Sequence, residues 1–226
     1  LLGSGIKTWW LLLMLPIEEY LLKIKIHPNI LTISTLVVGV ITGLAYHYGL
    51  IFIGGILVLG GSTFDIFDGR VARAQGINSE SGAFFDSSLD RISEAFIYVG
   101  LLSLFQGTIF AYIVFFILVS TTMVSYTRAR AEGLGVKCEV GIMQRTERVV
   151  YLGVLSVFNF FGNLIANALG YGSDDYLLKL SLILILAFSS YTAIQRMVHV
   201  MGTLKKRESE NAPDTESETE PETAES

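Results

Sequence analysis

Six long apolar runs, separated by short polar breaks, dominate this chain of 226 residues and restrict what it can fold into. A helix needs about 20 predominantly apolar residues to cross the hydrocarbon core of a bilayer. Hydrophobic residues make up 51% of the chain, which is high for a soluble domain. We therefore predict an all-α integral membrane protein with six transmembrane helices, near residues 31–48, 51–69, 84–105, 108–131, 148–169 and 178–201.

The two ends of the chain differ in composition from its middle. Residues 1–26 mix Trp, Tyr and Leu with Lys and Glu, which is typical of an amphipathic helix lying at the membrane interface. Residues 204–226 are rich in Glu, Ser and Thr and cannot bury enough apolar surface to fold, so we predict a disordered acidic tail. Residues 27–203 then form one six-helix transmembrane domain.

The distribution of basic residues predicts how the protein is oriented in the membrane. An even number of spans places both termini on the same side. Fifteen of the 16 Lys and Arg residues fall on that side, and only Lys179 falls on the other. Because basic residues are enriched in cytoplasmic loops, we expect both termini and the loops after the second and fourth spans to face the cytoplasm, with the protein in the cell membrane.

Four aspartates lie at the cytoplasmic ends of the second and third spans, where unpaired charges are costly. Asp65 and Asp68 are three residues apart and Asp86 and Asp90 are four apart, so each pair lies on one face of its helix. The short loop between the helices predicts antiparallel neighbours whose acidic faces meet. Converging carboxylates repel one another and need a cation, and oxygen ligands suit Mg²⁺, Mn²⁺ or Ca²⁺.

Small residues and an arginine accompany the aspartates. Gly69 and Ala72 lie on the same helical face as the first aspartate pair, and Gly82 follows across the loop, which leaves room for a nucleotide to approach the backbone. Arg73 adds a charge suited to phosphate. Two other interpretations of the acids stay open: the ion or proton pathway of an ion-coupled transporter, and structural pairing with nearby arginines. The sequence contains no internal repeat of the kind found in many transporters.

These residues follow one fixed pattern, D-x2-D-G-x2-A-R-x8-G-x3-D-x3-D, at Asp65, Asp68, Gly69, Ala72, Arg73, Gly82, Asp86 and Asp90. The pattern is that of the CDP-alcohol phosphotransferase family, which the chain resembles over roughly residues 27–200. The resemblance implies a metal-dependent membrane enzyme of phospholipid biosynthesis. Such an enzyme transfers the phosphatidyl group of CDP-diacylglycerol to an alcohol and releases CMP.

The resemblance also implies a role for each residue. The metal ligands would be Asp65, Asp68 and Asp86, with Asp90 near the second of two expected Mg²⁺ or Mn²⁺ ions. Asp90 would also be the catalytic base that takes the proton of the acceptor hydroxyl. The CDP-lipid site would comprise Pro28, Asn29, Thr32, Asp68, Gly69, Ala72, Arg73, Ser79 and Gly82. Family members form homodimers, so we expect a homodimer in the lipid bilayer and no nucleic-acid partner.

Arginines near the cytoplasmic ends of the last three spans indicate an anionic acceptor. Arg128 and Arg130 end the fourth span, Arg148 begins the fifth, and Arg196 lies within the sixth. Together they would suit a phosphorylated alcohol, whereas the alternative is contact with anionic lipid headgroups. These segments resemble the prokaryotic phosphatidylinositol-phosphate synthases, which implies inositol 1-phosphate as acceptor. The alternative acceptor is glycerol 3-phosphate, which would make the protein a phosphatidylglycerophosphate synthase.

Overall fold

The computed structural model describes residues 16, 19–24, 26–77, 79–172 and 174–210. Within these ranges the long elements are all α-helices: α1 Pro28–His47, α2 Ile51–Gln75, α3 Glu80–Leu104, α4 Ile109–Gly133, α5 Arg145–Ala168 and α6 Tyr176–Glu210. The predicted all-α membrane fold is confirmed. Among the described helices, five are long and apolar enough to cross a membrane, and α3 is not among these five. Six spans therefore remain a prediction, and α3 is the helix in question because it carries charged residues along its first half.

Local sequence determines where the helices meet. His27 caps α1 and Pro28 occupies its first turn, where the missing N–H of proline is harmless. α2 ends at Gly76, whose φ of 66° lies in the left-handed region that glycine tolerates. α3 begins after Ser79, whose hydroxyl accepts a hydrogen bond from the backbone N–H of Gly82 at 3.1 Å. This tight link brings the end of α2 and the start of α3 to the same side of the membrane.

The six helices pack in a ring in the order α1, α2, α5, α6, α4, α3 and back to α1. Among the described residues α2 and α3 do not pack on each other, because α1 lies against both of them. We predicted antiparallel neighbours whose acidic faces meet; within the described ranges the helices do not pack on each other, but the faces do meet. Small residues allow the close approach of α1, since a Cβ atom on Gly43 or Gly100 would collide with the other helix. The acidic faces of α2 and α3 meet across a gap instead of across a helix contact.

A buried apolar cluster closes the half of the ring that lies away from the α2–α3 link. It includes Tyr46, Tyr98, Leu101 and Ile117, and the Tyr46 hydroxyl lies 2.9 Å from Ser156 Oγ. Large apolar side chains on the outer faces of the helices are exposed, which is the arrangement expected of a surface that contacts lipid. The half of the helix ring that contains the aspartates is not filled by this cluster and is open to form a site.

The N-terminal segment predicted as an interfacial helix lies mostly outside the described residues, namely 1–15, 17, 18 and 25. Residues 19–23 are helical. Leu21 packs with Leu31, Phe67 and Val71 at the site end of α1 and α2. This short stretch therefore covers the ends of the two helices that contribute Thr32 and the first aspartate pair.

The C-terminal helix is longer than predicted. α6 continues to Glu210, so residues 204–210, which we predicted to begin a disordered tail, are helical. Arg207 explains part of this difference, because its guanidinium donates to the carbonyls of Leu134 and Gly135 at 3.1 Å each and ties α6 to the end of α4. Residues 211–226 of the predicted tail lie outside the described residues.

Candidate active site

Three of the four aspartates come together between α2 and α3. Asp65, Asp68 and Asp86 each bring a carboxylate oxygen within 4.8 Å of the others. Asp68 is buried and accepts a hydrogen bond from the Thr32 hydroxyl at 2.9 Å. Asp86 Oδ1 is buried and has no hydrogen-bond partner in the described part of the chain. Such an oxygen is costly unless it binds a cation, so the three aspartates, which we call the carboxylate cluster, fit Mg²⁺ or Mn²⁺.

Asp90 lies next to this cluster but pairs differently. Its Oδ2 lies 2.6 Å from Arg145 Nη1, and the same nitrogen lies 2.6 Å from Asp65 Oδ2. Arg145 therefore bridges a cluster residue and the aspartate predicted to be the base. Arg145 was not among the site residues predicted from the sequence. Its position at the start of α5, three residues before Arg148, places both on one helical face, and that spacing is the signal that could have identified it.

The small residues of the signature lie along α2, which stays helical to Gln75. Gly69 and Ala72 follow Asp65 by four and seven residues and share its face. A Cβ atom on Gly69 would lie 3.4 Å from Arg73 Nη1, so the guanidinium of Arg73 lies over this glycine. The predicted nucleotide side of the site is thus a helical face with small residues and one exposed cation.

The other residues predicted to bind the CDP-lipid lie at the starts of α1 and α3. Pro28 is buried and Asn29 is exposed in the first turn of α1, one turn before Thr32. The Ser79 hydroxyl accepts the backbone N–H of Gly82 and lies 3.2 Å from Ser81 Oγ. The observed role of Ser79 is therefore to cap α3, and contact with a phosphate remains a prediction.

A cavity of about 640 Å³ opens next to Asp90 between α3, α4, α5 and α6. Five arginines line it: Arg91, Arg128, Arg145, Arg148 and Arg196. Its other polar lining is uncharged except for Glu132 and comes from Ser87, Ser88, Thr122, Ser125, Gln144 and Thr146, among others. We call this space the arginine cavity. Because Arg145 belongs both to its lining and to the ion pairs with the aspartates, the cavity and the carboxylate cluster form one continuous site.

Three of the four arginines predicted to bind the acceptor line the cavity, and Arg130 does not. Residues two apart on a helix point in nearly opposite directions, so Arg130 lies off the face that carries Arg128 and is exposed. The structure therefore does not bring Arg130 to the other arginines. Arg128 reaches the cavity while pairing with Glu132 at 2.9 Å, on a largely exposed part of α4.

Arg196 is buried, and most of its contacts are structural. Its Nε donates to the Val140 carbonyl at 2.8 Å and its Nη1 donates to the Val124 carbonyl at 2.7 Å. In the same region the Met143 backbone N–H donates to Thr192 Oγ1 at 3.1 Å. These bonds fix both α4, at Val124, and the loop between α4 and α5 onto α6, so Arg196 shapes the wall of the cavity in addition to lining it.

Glu94 is a second residue that the sequence analysis missed. Its Oε1 accepts a hydrogen bond from Arg148 Nε at 2.9 Å, and its Oε2 accepts one from Arg91 Nη1 at 3.2 Å. Asp86, Asp90 and Glu94 follow one another at intervals of four residues and therefore share a face of α3. That continued spacing was visible in the sequence, although the family signature ends at Asp90.

The comparison with known proteins agrees with this geometry. The sequence matches the profile of the CDP-alcohol phosphatidyltransferase family over residues 25–189. The chain belongs to this family. It is 32% identical over 184 residues to an archaetidylinositol phosphate synthase from Methanothermobacter thermautotrophicus, covering 81% of this chain and 87% of that protein. It is 30% identical over 207 residues to a phosphatidylinositol phosphate synthase from Streptomyces avermitilis, covering 88% of this chain and 82% of that protein.

Solved structures of one relative share the fold. The crystal structure of Mycobacterium tuberculosis phosphatidylinositol phosphate synthase with CDP-DAG bound has a TM-score of 0.70 at 27% identity, covering 82% of this chain and 92% of that one. The structure of the same enzyme with manganese and citrate also has a TM-score of 0.70, at 25% identity, covering 91% and 92%. The predicted family, the multi-pass membrane fold and a metal-dependent transferase are therefore confirmed.

Proposed function

We propose that this protein transfers the phosphatidyl group of CDP-diacylglycerol to inositol 1-phosphate and releases CMP. The observation that carries this proposal is the continuity of the carboxylate cluster with a cavity lined by five arginines. A phosphate monoester with several hydroxyl groups matches a cavity of arginines, serines and threonines. The names of the two inositol phosphate synthases support the acceptor, and the relative crystallised with CDP-DAG supports the donor.

In this proposal the α2 face binds the nucleotide end of the donor. Asp65, Asp68 and Asp86 would hold one or two Mg²⁺ or Mn²⁺ ions, which would neutralise charge on the pyrophosphate and assist the departure of CMP. The hydroxyl of Thr32 orients the Asp68 carboxylate through the 2.9 Å hydrogen bond. The remaining CDP contacts would come from Gly69, Ala72 and Arg73, with Pro28, Asn29, Ser79 and Gly82 at the adjoining helix starts.

Asp90 would act as the general base. It lies on the face of α3 between the carboxylate cluster and the arginine cavity, where a carboxylate can take the proton from an acceptor hydroxyl. The freed oxygen forms a bond to the β-phosphorus of the donor, and the bond from that phosphorus to the bridging oxygen breaks. CMP leaves with the electron pair of that bond. Contact of Asp90 with a second metal ion remains part of the proposal.

The arginine cavity would bind the acceptor. Arg128 and Arg148, together with Arg91 and Arg145, would bind its phosphate, and Arg196 would contribute mainly by holding the wall. Hydroxyl side chains such as Ser88 and Thr122 would face the polyol. Glycerol 3-phosphate carries the same phosphate with fewer hydroxyls, and it remains the alternative acceptor.

A liposome assay tests the proposal. Purified protein in liposomes that contain CDP-diacylglycerol is given inositol 1-phosphate, glycerol 3-phosphate, inositol or serine, and CMP release is measured with and without Mn²⁺. We expect release only with inositol 1-phosphate and metal. Turnover with an uncharged alcohol would contradict the assigned role of the arginines, and flux of solute without CMP release would indicate a transporter. A CDP-linked ether lipid tests the donor, because one relative is an archaetidyl-transferring enzyme by name.

The proposal also covers the orientation of the protein in the membrane and its oligomeric state. We propose that the site and both termini face the cytoplasm of a cell membrane, supported by the fifteen of 16 basic residues on that side. Labelling of a cysteine introduced at the exposed Lys137 checks this in right-side-out vesicles, with labelling expected only after permeabilisation and the unmodified chain, whose Cys138 is buried, as the control. The proposed homodimer rests on the family resemblance alone, and cross-linking in membranes tests it.

A further inference from the structure

Glu94 is a buried acid to which the proposed reaction assigns no part. It lies one turn beyond Asp90 on α3, and its side chain is only 14% exposed. Its two carboxylate oxygens are divided between arginines of different helices, Oε1 with Arg148 of α5 and Oε2 with Arg91 of α3. An acid this deeply buried is strongly destabilising when unpaired, so the three side chains form one interdependent group.

We propose that Glu94 is a positioning residue that orients Arg148 and Arg91 to bind the phosphate of the acceptor. This inference rests on the proposed function. Arg148 presents one edge of its guanidinium to Glu94: Nε donates a hydrogen bond to Oε1 at 2.9 Å, and Nη2 lies 2.8 Å from the same oxygen as an ion-pair contact without hydrogen-bond geometry. The side chain of Arg148 is only 3% exposed, so this pairing fixes its conformation.

The other edge of the Arg148 guanidinium carries a donor that makes no hydrogen bond in the described part of the chain. Nη1 is buried and makes no hydrogen bond to any residue in the described ranges, and Arg148 lines the arginine cavity. A buried N–H group without an acceptor costs free energy, which binding of an oxyanion in the cavity would recover. Glu94 therefore holds one edge of the guanidinium and leaves the other for a phosphate oxygen.

Arg91 is held by the same acid. Its Nη1 contacts Glu94 at 3.2 Å and also donates to the hydroxyl of Ser125 on α4. The carboxylate of Glu94 thus lies between two guanidinium groups that would otherwise repel each other in a poorly solvated site. Removing its charge should loosen both arginines without touching the carboxylate cluster on the other side of Asp90.

The test is kinetic and uses the full-length protein in liposomes with Mn²⁺. We expect Glu94→Gln to raise KM for inositol 1-phosphate about 10- to 100-fold, the range that a hydrogen bond between charged groups contributes. KM for CDP-diacylglycerol and the affinity for Mn²⁺ should stay within about twofold, since neither involves the arginine pair. Glu139→Gln is the matched control, because it removes one exposed acid whose ion-pair partner in the described part of the chain is Lys137, at 3.3 Å.

A double-mutant cycle separates positioning from a general structural role. In the Arg148→Lys background, which lacks the planar fork, Glu94→Gln should raise KM for the acceptor by a smaller factor than in the wild type, because only its hold on Arg91 remains to be lost. The same fold-change in both backgrounds would overturn the inference, as would a parallel loss of affinity for acceptor, donor and metal. If Glu94→Gln does not yield a monodisperse protein, Glu94→Asp, which keeps the charge but shortens its reach, should show a smaller increase in KM for the acceptor, and an unchanged KM would count against the inference.

Binding measured without turnover distinguishes this inference from the proposed function. Calorimetry with inositol 1-phosphate and no CDP-lipid reports the arginine cavity alone. If the wild-type protein binds this ligand but releases no CMP, and Glu94→Gln weakens the binding, the positioning role stands and the proposed reaction is wrong. If CMP is released and Glu94→Gln leaves both Kd and KM unchanged, the reaction stands and the positioning role is wrong. Absence of both binding and turnover in the wild type overturns both.

Discussion

The carboxylate cluster and the arginine cavity are adjacent parts of one site, yet they are built differently. The cluster comes from two consecutive helices joined by a short link, with its residues inside a span of 22 positions. The cavity takes its arginines from α3, α4, α5 and α6, which are distant in sequence. The cluster binds through oxygen atoms and the cavity through N–H donors. The family signature is thus local in sequence, whereas the cavity that we propose binds the acceptor depends on tertiary packing.

Asp90 lies between the two parts, and its loss should have the largest effect. We expect Asp90→Asn to lower the rate of CMP release by about 10³-fold, because the amide cannot take the proton of the acceptor hydroxyl. Mn²⁺ binding should persist, since Asp65, Asp68 and Asp86 converge without Asp90. Manganese EPR on the same preparation provides the control. If this variant fails to bind the first Mn²⁺ ion, Asp90 is a metal ligand and not the general base.

Arg145 belongs to both parts, so its replacement tests whether they work together. We expect Arg145→Ala to lower CMP release by about 10²-fold, because the variant would lose a charged donor to the acceptor phosphate and the ion pair that holds Asp90. Its affinity for Mn²⁺ should not fall, because a positive charge 2.6 Å from Asp65 opposes binding of a second cation there. Titration of Mn²⁺ into the variant and the wild type measures this directly. Weaker metal binding would show that Arg145 organises the cluster instead of serving the reaction.

The sequence predicted the cluster well because its information is local. Helical spacing alone places Asp65 with Asp68 and Asp86 with Asp90, and the structure brings Asp65, Asp68 and Asp86 together. The sequence did not predict the packing of α1 between α2 and α3, which depends on the contact of Gly43 with Gly100. Nor did it show that Thr32 bonds to Asp68, since that pair is 36 residues apart.

The cavity was predicted less completely because charge alone does not indicate which arginines converge. Arg128 and Arg130 look alike in the sequence, and only helical phase separates them. The role of Arg196 was hidden for another reason: its partners are the backbone carbonyls of Val140, in the loop at residues 134–144, and of Val124, inside α4, and no sequence pattern predicts that these two meet. Arg145 was not among the predicted site residues, although it completes the link to the aspartates. The pairing of Glu94 with Arg148 could not be predicted, because it depends on the relative position of α3 and α5.

Arg196 differs from the other cavity arginines in a way that a stability measurement can detect. We expect Arg196→Lys to lower the free energy of unfolding by about 1–3 kcal/mol, because a lysine cannot make both carbonyl hydrogen bonds at once. KM for the acceptor should rise less than in Arg148→Lys. Thermal unfolding in detergent, followed by the same kinetic assay, provides both readouts. A large rise in KM with unchanged stability would give Arg196 the direct phosphate-binding role that the sequence first suggested.

The smallest effects should come from the exposed end of α4, where two arginines on one helix form a matched pair. Arg128→Gln should raise KM for inositol 1-phosphate about threefold, because Arg128 lines the cavity but is exposed and shared with Glu132. Arg130→Gln should change it less than about twofold, because its side chain lies off the cavity face. Both variants remove the same charge from the same membrane surface, so a general attraction of the anionic acceptor to that surface would affect them equally. If the two variants raise KM equally at low salt and neither does so at high salt, long-range attraction to the membrane surface, and not specific binding by Arg128, explains the effect.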